Sequence, residues 1–501
     1  MTMDRAHALL CVVALTGMLG CGGGSEGPAD ADAAVTVDAS RPDARMADAG
    51  APRVTLTVRP RGNGSATPMF SPAGTFDCGD NCFSFPEGTT VHVVAVPDPG
   101  SRVVGWGRAG CEAAAACDVR LDVAVEIDLT AIRVMGTTIV PGSAAAPAEI
   151  LEGVAADAAG NIVVVGDRAV AGGSSASFVR KLAPDGSELW TRTKDGSGRD
   201  SLQDVAIDRD GAIVVVGFSE VAGQQDDILI QKWSADGAAL WTRSHDGAFH
   251  GIDQAFGVAT DAQSNVVVAG VVEVSGSGYF EIWVAKYDSS GTQLWTRTVA
   301  NAGSDTGTGV AVAPDGSILV AAHLARGAAP DVWYRKYSPD GMEVWTRTYG
   351  SPSGAWDYAR SVEVDQSGSF YVVGAATDGV ERVWVRKCGA NGDEVWTSWH
   401  KGGAGYSLGL GTDLAPDGTL VVSGARQVSG LIEEAVMLRY DDKGGVLAEE
   451  VYRSAAGTTA RGNDIVVDGR DTVFVVGYEA GHPGTMPPDA KPWVRRFTPS
   501  P

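Results

Sequence analysis

A unit of about fifty residues recurs through most of this chain, and no other feature restricts the fold as much. A Trp-Thr step returns at Trp190, Trp241, Trp295, Trp345 and Trp396, at spacings of 51, 54, 50 and 51. An apolar run that closes on a small residue returns at Gly166, Gly217, Gly270, Ala322, Gly374, Gly424 and Gly477, which makes seven copies. A basic residue ahead of an apolar one returns at Lys181, Lys232, Lys286, Lys336, Lys387, Arg439 and Arg496. Self-similarity at a fixed period marks an array of supersecondary units, each burying its apolar surface against its neighbours.

Each unit carries four alternating runs divided by turn residues. In the second copy they are 204–207, 213–217, 228–233 and 239–243, with Asp210-Gly211 and Asp236-Gly237 in the turns. Glycine accepts positive φ, so these pairs punctuate hairpins. Apolar residues at helical spacing are lacking. Four short antiparallel strands per unit is the size of a propeller blade. The fold class expected is all-β: a seven-bladed β-propeller of four-stranded blades over residues 134–501, preceded by a small disulfide-clipped β domain. Ten of the thirteen tryptophans fall at equivalent places in the third and fourth runs, as blade-on-blade packing requires. Cys388 stands where other copies have Leu182, Trp233 or Tyr287, and reads as a buried small apolar residue. The last copy stops after its third run, at 493–497, so a closed ring needs a fourth strand from elsewhere. Residues 134–140 are the expected donor, leaving no open edge.

Units of the form Asp-x-x-x-x-Val-Ala-x-Asp-x-x-Gly-x-x-Val-Val-Gly, followed by Trp-Val-x-Lys-Tyr, resemble the bacterial seven-bladed β-propeller repeat. The resemblance spans about 370 residues and implies the fold without naming an activity. The stretch from Pro339 to Trp345 also resembles the tryptophan-docking turn of pyrroloquinoline-quinone propellers. Those usually have eight blades and defined cofactor and calcium ligands, and no such set is found here.

The beginning of the chain reads as an export address. Arg5 and His7 precede an apolar run from Ala8 to Leu19, too short to span a bilayer as a helix. It ends in Met18-Leu19-Gly20-Cys21, which resembles a bacterial lipobox. That resemblance implies a signal peptide over 1–20 and a lipid on Cys21; Gly22 after it implies the outer membrane or cell surface. Residues 21–52 are mainly Gly, Ala, Asp and Pro, too poor in large apolar side chains to fold, and read as a flexible stalk.

Residues 53–133 turn to period-two alternation, as in Val54-Thr55-Leu56-Thr57-Val58. They hold two close cysteine pairs, Cys78/Cys82 and Cys111/Cys117. Four thiolates also suit zinc, but an exported chain meets an oxidising compartment, which favours bridges 78–82 and 111–117. With Gly105-Trp106, this segment resembles the divergent bacterial repeat domain of internalin-type surface proteins, which implies a spacer or adhesion module.

The chain has 39 basic and 62 acidic side chains and a formal net charge of −23, which sets it against nucleic acid as a partner. One polar position follows the blade phase: Asp200, Asp253, Asp305 and Asp357 each lie five residues before the first-strand valine, with Glu149 at the matching place. Carboxylates crowded at a channel mouth would attract a cation such as Ca2+; the alternative is that each bonds backbone amides at its blade entrance. His250, Trp356, Tyr358 and Tyr406 lie in the loops that vary most between copies and are the expected ligand contacts. His245 and His250 share one loop, but two ligands make no metal site. No catalytic motif is present, so no residue is assigned as catalytic. The function expected is non-catalytic: a lipid-anchored scaffold binding a protein or polysaccharide partner. The alternative is a surface lyase or hydrolase with a carboxylate-lined axial pocket, recognisable by an acid/base pair meeting an unphased Arg, His or Tyr.

Overall fold

The computed structural model describes residues 53–498, apart from 62–65, 72–81, 98–100, 107–115, 123, 134–135, 142–147, 171–173, 195–197, 276–277, 300–305, 327–328, 352–355, 378, 401, 403–404, 431, 455–457 and 481–488. The signal segment, Cys21, the stalk, Cys78, Cys111 and Asp305 lie outside the described residues. Every regular element among them is a strand. No helix is long and apolar enough to cross a membrane. The chain separates into two compact units that meet in sequence at Ala131/Ile132.

The first unit has two sheets. One runs Cys82–Pro86, Arg53–Arg61, Val125–Arg133, Ser101–Trp106; the other runs Ala66–Ser71, Thr89–Pro97, Ala116–Leu121. Its first and last strands pair in parallel, Leu56 opposite Val125. Leu56 and Val58, Phe83 and Phe85, Val91 and Val93, and Val119 and Leu121 form one core drawn from both sheets. Each pair is two residues apart, so the alternation legible in the sequence is the inner face of a pleated strand. Cys82 and Cys117 are both disulfide-bonded.

The second unit is built of seven four-stranded antiparallel sheets among the described residues. Six of them use four consecutive strands. The seventh combines Thr459–Val467, Val473–Ala480 and Lys491–Thr498 with Gly136–Pro141 from the other end of the chain. Val494 is opposite Val140 and Arg496 opposite Thr138, which supplies the missing fourth run. The first strands of the sheets are Glu149–Ala156, Asp200–Ile207, Gln254–Thr260, Thr306–Val312, Tyr358–Val364, Ser407–Leu414 and Thr459–Val467. Each neighbours the next in chain order, and the last neighbours the first. These are the inner strands of a ring.

Three recurrent residues have a structural cause. The small residue of the second strand lies opposite a bulge in the inner strand, where the extra residue is Glu152, Gln203, Phe256, Thr308, Arg360, Leu410 or Asn463. A Cβ at Gly374 would lie 1.9 Å from the Tyr358 carbonyl oxygen, and one at Gly477 1.9 Å from that of Arg461, a separation no side chain tolerates. The third-strand lysines run along their sheets to the aspartate of the first turn: Lys181 to Asp157 at 2.9 Å, Lys232 to Asp208 at 2.8 Å, Lys286 to Asp261 at 2.9 Å. Those aspartates also accept turn amides, such as Asn161 N on Asp157 Oδ1 at 2.9 Å.

The tryptophans divide into two kinds. Trp283, Trp333 and Trp384 of the third strands are fully buried. Three fourth-strand indoles are half-exposed and donate to the next sheet instead: Trp241 Nε1 donates to Ser289 O at 3.1 Å, Trp295 to Pro339 O at 3.1 Å and Trp396 to Asp442 O at 2.8 Å, whereas Trp345 Nε1 has no hydrogen-bond partner. The turn beginning at Pro339, singled out by its sequence, thus receives an indole from the preceding sheet. Cys388 is buried and free, and burial pushes its thiol up to about 11.

Candidate functional site

The phased carboxylates are buried and engaged. Glu149 forms a two-pronged pair with Arg180, at 3.1 and 3.2 Å. Asp200 accepts from Ser219 Oγ at 2.6 Å and pairs with Lys194. Asp253 accepts the backbone amides of Gly247 and Glu273, the latter at 2.9 Å, and burial lifts its carboxyl to about 6. Asp357 accepts the amides of Ser351 and Thr377, the latter at 3.0 Å. These side chains fasten loops at the entrances of their sheets. Among the described residues no group of three or more His, Cys, Asp or Glu is placed to hold a metal ion.

The loop residues divide likewise. His250 adopts φ 50° and holds Nδ1 2.6 Å from Asp246 Oδ2 on the surface, while His245 stacks on Trp283 at 4.8 Å. Trp356 is 45% exposed, and its ring lies 5.9 Å from that of Tyr358. Tyr358 in turn meets His323 edge-on at 5.2 Å and lies 5.8 Å from the Arg360 guanidinium. The Tyr406 hydroxyl donates to Glu433 Oε1 at 2.5 Å.

Tyr358 and Tyr406 lead to a polar cluster inside the ring. Arg360 of the fifth inner strand and Arg461 of the seventh are close enough to repel each other electrostatically. Burial works against the charge on Arg461, but Glu433, then Tyr478, Tyr406 and Glu152 together outweigh it and hold that charge firmly. Burial and the charge of Arg461 weaken the hold of Arg360 on its proton, and Tyr358 and Glu381 offset this only in part. Neither guanidinium has a carboxylate within 4.0 Å among the described residues. Glu152 is bonded by Asn463 Nδ2 at 2.9 Å; burial raises its carboxyl to about 7, and Arg461 opposes that rise. Burial also depresses the His323 imidazole to about 3, aided by Arg360. The residues come from the first, fourth, fifth, sixth and seventh sheets, so only the ring brings them together.

Four more carboxyls lie further along the inner strands. Asp204 Oδ2 accepts Val258 N at 2.8 Å, Asp413 Oδ2 accepts Val467 N at 2.7 Å and Asp464 Oδ2 accepts Val154 N at 2.8 Å. Each joins one inner strand to the next. Burial raises Asp204 to about 7 and Asp413 to about 6, and lifts Asp464 well above its ordinary value, helped by repulsion from Asp204. Burial and repulsion from Asp413 raise Glu363 to about 8.

Reading the sequence by recurrent position passes over most of these residues, because each is an exception at its place. Asp204 and Asp464 stand where other copies have Gly153, Gly257, Gly309, Ser361 and Gly411, and Glu363 and Asp413 where others have Ala155, Ala206, Ala259 and Ala311. A charged residue breaking a run of small ones at one phase was the available signal.

No family model matches the chain, and no curated protein does. Among solved structures it is similar to the Pan2 WD40 domain of Neurospora crassa, with TM-score 0.46, 10% identity, and coverage of 73% of this chain and 95% of that one. It is also similar to a catalytically inactive virginiamycin B lyase from Staphylococcus aureus with quinupristin, at TM-score 0.44 and 11% identity, covering 72% and 99%. A third is Sqt1 from Chaetomium thermophilum, at TM-score 0.39 and 12% identity, covering 70% and 88%. The second unit's four-stranded antiparallel sheets, with neighbouring inner strands and the last beside the first, define an all-β protein of propeller-like, repeated construction. Such a fold suits a binding or scaffold module.

Proposed function

We propose that the chain is a lipid-anchored surface protein whose seven sheets are the blades of a closed propeller, and that its partner binds at the axial cluster around Arg360 and Arg461. The observation that carries this reading is a pair of cations, within electrostatic reach of each other, at places where no other copy has one. Arg360 takes the bulge position held elsewhere by Glu152, Gln203, Phe256, Thr308, Leu410 and Asn463. A fold that needed only to close would not require either. The small first unit, with bridges 78–82 and 111–117, is a spacer between this head and the anchor at Cys21. The partner is a polysaccharide or a protein at the outer membrane or cell surface.

The test is a glycan array and a pull-down with the full chain, beside its Arg461→Gln variant. Capture that the variant loses supports the reading; capture that is unaffected places the partner elsewhere and removes it. Labelling with palmitate that disappears in Cys21→Ala tests the anchor. One observation favours a second reading. Glu152, raised to about 7 by burial, is within electrostatic reach of Arg461 and the Tyr478 hydroxyl. An acid near neutrality facing a cation and a phenol is a workable proton-transfer set. Turnover of any captured polysaccharide, lost in Glu152→Gln, would make the chain an enzyme.

A further inference from the structure

We propose that the junction between the sixth and seventh sheets binds an indole, a planar aromatic ring bearing an N–H, in a cavity where the preceding junctions place a tryptophan of their own. The proposal does not depend on the axial site. Of the six sheets made of consecutive strands, five carry a fourth-strand tryptophan opposite the recurrent lysine of the third strand, as Trp396 lies opposite Lys387. The sixth has Ala448 opposite Arg439. Trp396 packs against a cluster that includes Val385 of its own sheet and Val422, Val436, Leu438 and Tyr440 of the next. The residues at the same register one junction later are Met437, Val475, Trp493, Arg495 and Phe497. All five line a cavity of about 150 Å³. A void of that size takes a benzene ring where its lining is apolar.

The walls fit the same guest. Tyr452 and Trp493 meet edge to face at 5.3 Å, and with Phe497 and the Met437 thioether they favour an aromatic ring over an aliphatic chain. Trp190, Trp241, Trp295 and Trp345 each have a guanidinium between 5.3 and 5.5 Å from the ring; here Arg495 brings one to the cavity from the seventh sheet. It lies 3.3 Å over the Tyr452 ring, whose hydroxyl donates to Glu479 Oε2 at 3.1 Å, so the walls are braced without a ligand.

The N–H follows from what this junction lacks. Trp241, Trp295 and Trp396 donate to a carbonyl in the turn between the third and fourth strands of the next sheet. In the seventh sheet those strands are Lys491–Thr498 and Gly136–Pro141, which are not consecutive, so no turn joins them. The cavity supplies a different acceptor, the carboxylate of Glu450, at the place where other copies have Arg192, Arg243, Arg297 and Arg347.

The experiment is titration calorimetry of the full chain with indole, N-methylindole and N-acetyltryptophanamide. One indole per chain is expected to bind, and N-methylindole about tenfold more weakly for want of the N–H. Ala448→Trp supplies the ring from the chain itself and is expected to lower indole affinity about tenfold or more, with a raised melting temperature. If that chain does not fold, Ala435→Ile serves instead: it narrows the cavity with the residue type of Ile228 and Ile282 at the same register. N-acetyltryptophanamide binding as tightly as indole would assign the ring to a tryptophan side chain of a partner, and indole binding alone would assign it to a free small molecule. No binding of indole, equal binding of N-methylindole, or unchanged indole affinity in a folded Ala448→Trp or Ala435→Ile chain would each overturn the proposal.

Discussion

Asp464 and Val154 are 310 residues apart in sequence, yet Asp464 Oδ2 accepts the amide hydrogen of Val154 at 2.8 Å. The contact joins the inner strand of the seventh sheet to that of the first. Asp204 makes the same kind of bond to Val258, and Asp413 to Val467, so among the described residues three carboxyls tie an inner strand to a backbone amide of the next. Asp464→Ala leaves a buried amide without an acceptor, which costs about 1–3 kcal/mol. Asp464→Asn keeps an acceptor and removes a group strained by repulsion from Asp204, so it should cost less than the alanine variant. Urea unfolding measures both; equal midpoints for Asp464→Ala and the unaltered chain would contradict the role given to this bond.

The strand Gly136–Pro141 completes the seventh sheet, opposite Lys491–Thr498. A chain lacking residues 134–140 exposes a strand edge and loses the tie between its ends. Its unfolding should broaden and lose cooperativity, with a lower midpoint, by calorimetry. A single sharp transition at the original temperature would show that the tie is dispensable.

The indole latches can be tested through glycine. Gly341 has φ 79°, and a Cβ there would lie 2.7 Å from the Trp295 ring; Gly418 has φ 83° with nothing within 4 Å. Gly418→Ala carries only the backbone term, about 1–2 kcal/mol. Gly341→Ala adds displacement of the indole, a further ~1–3 kcal/mol. Chemical denaturation should rank the two in that order, and equal losses would mean that the indole does not bear on its neighbour's turn.

Burial holds several carboxyls above their ordinary values in the folded chain: Asp413 and Asp253 at about 6, Glu152 and Asp204 at about 7, Glu363 at about 8. The folded state therefore keeps protons that the unfolded state has released, and stability falls as pH rises across this interval. Their contribution is complete below about pH 4 and gone above about pH 8. Asp157, Asp261 and Asp417 have lowered values and act oppositely, losing stability as pH falls below the ordinary carboxylate range. The melting temperature should peak near pH 5 and decline towards pH 8. A rise over that range would contradict the burial of the axial carboxyls.

The recurrent residues were legible because each answers a demand that every sheet makes. Gly374 and Gly477 are small because a carbonyl oxygen lies where a Cβ would go, and Lys232 recurs because each turn presents a carboxylate like that of Asp208. The donor strand was legible because the last copy is one run short. Period alone does not reveal which face of an entrance a carboxylate turns to, so Asp253 and Asp357, in phase with the sheets, belong to backbone amides. Nor does it reveal what meets across the axis. Arg360 occupies a bulge, which breaks the alternation that identifies a strand, and Arg461 gains its neighbours only from sheets far away in sequence.

Arg360, Arg461 and Glu152 belong to the fifth, seventh and first sheets, and a site made of them exists only if the ring is closed. Hydrogen exchange at the Val154 amide tests that closure directly. With Asp464 as its acceptor across the junction, Val154 should exchange as slowly as Val258, which is bonded in the same way by Asp204 inside the ring. Exchange of Val154 at the rate of an open strand edge, with Val258 still protected, would show an open ring and dissolve the site.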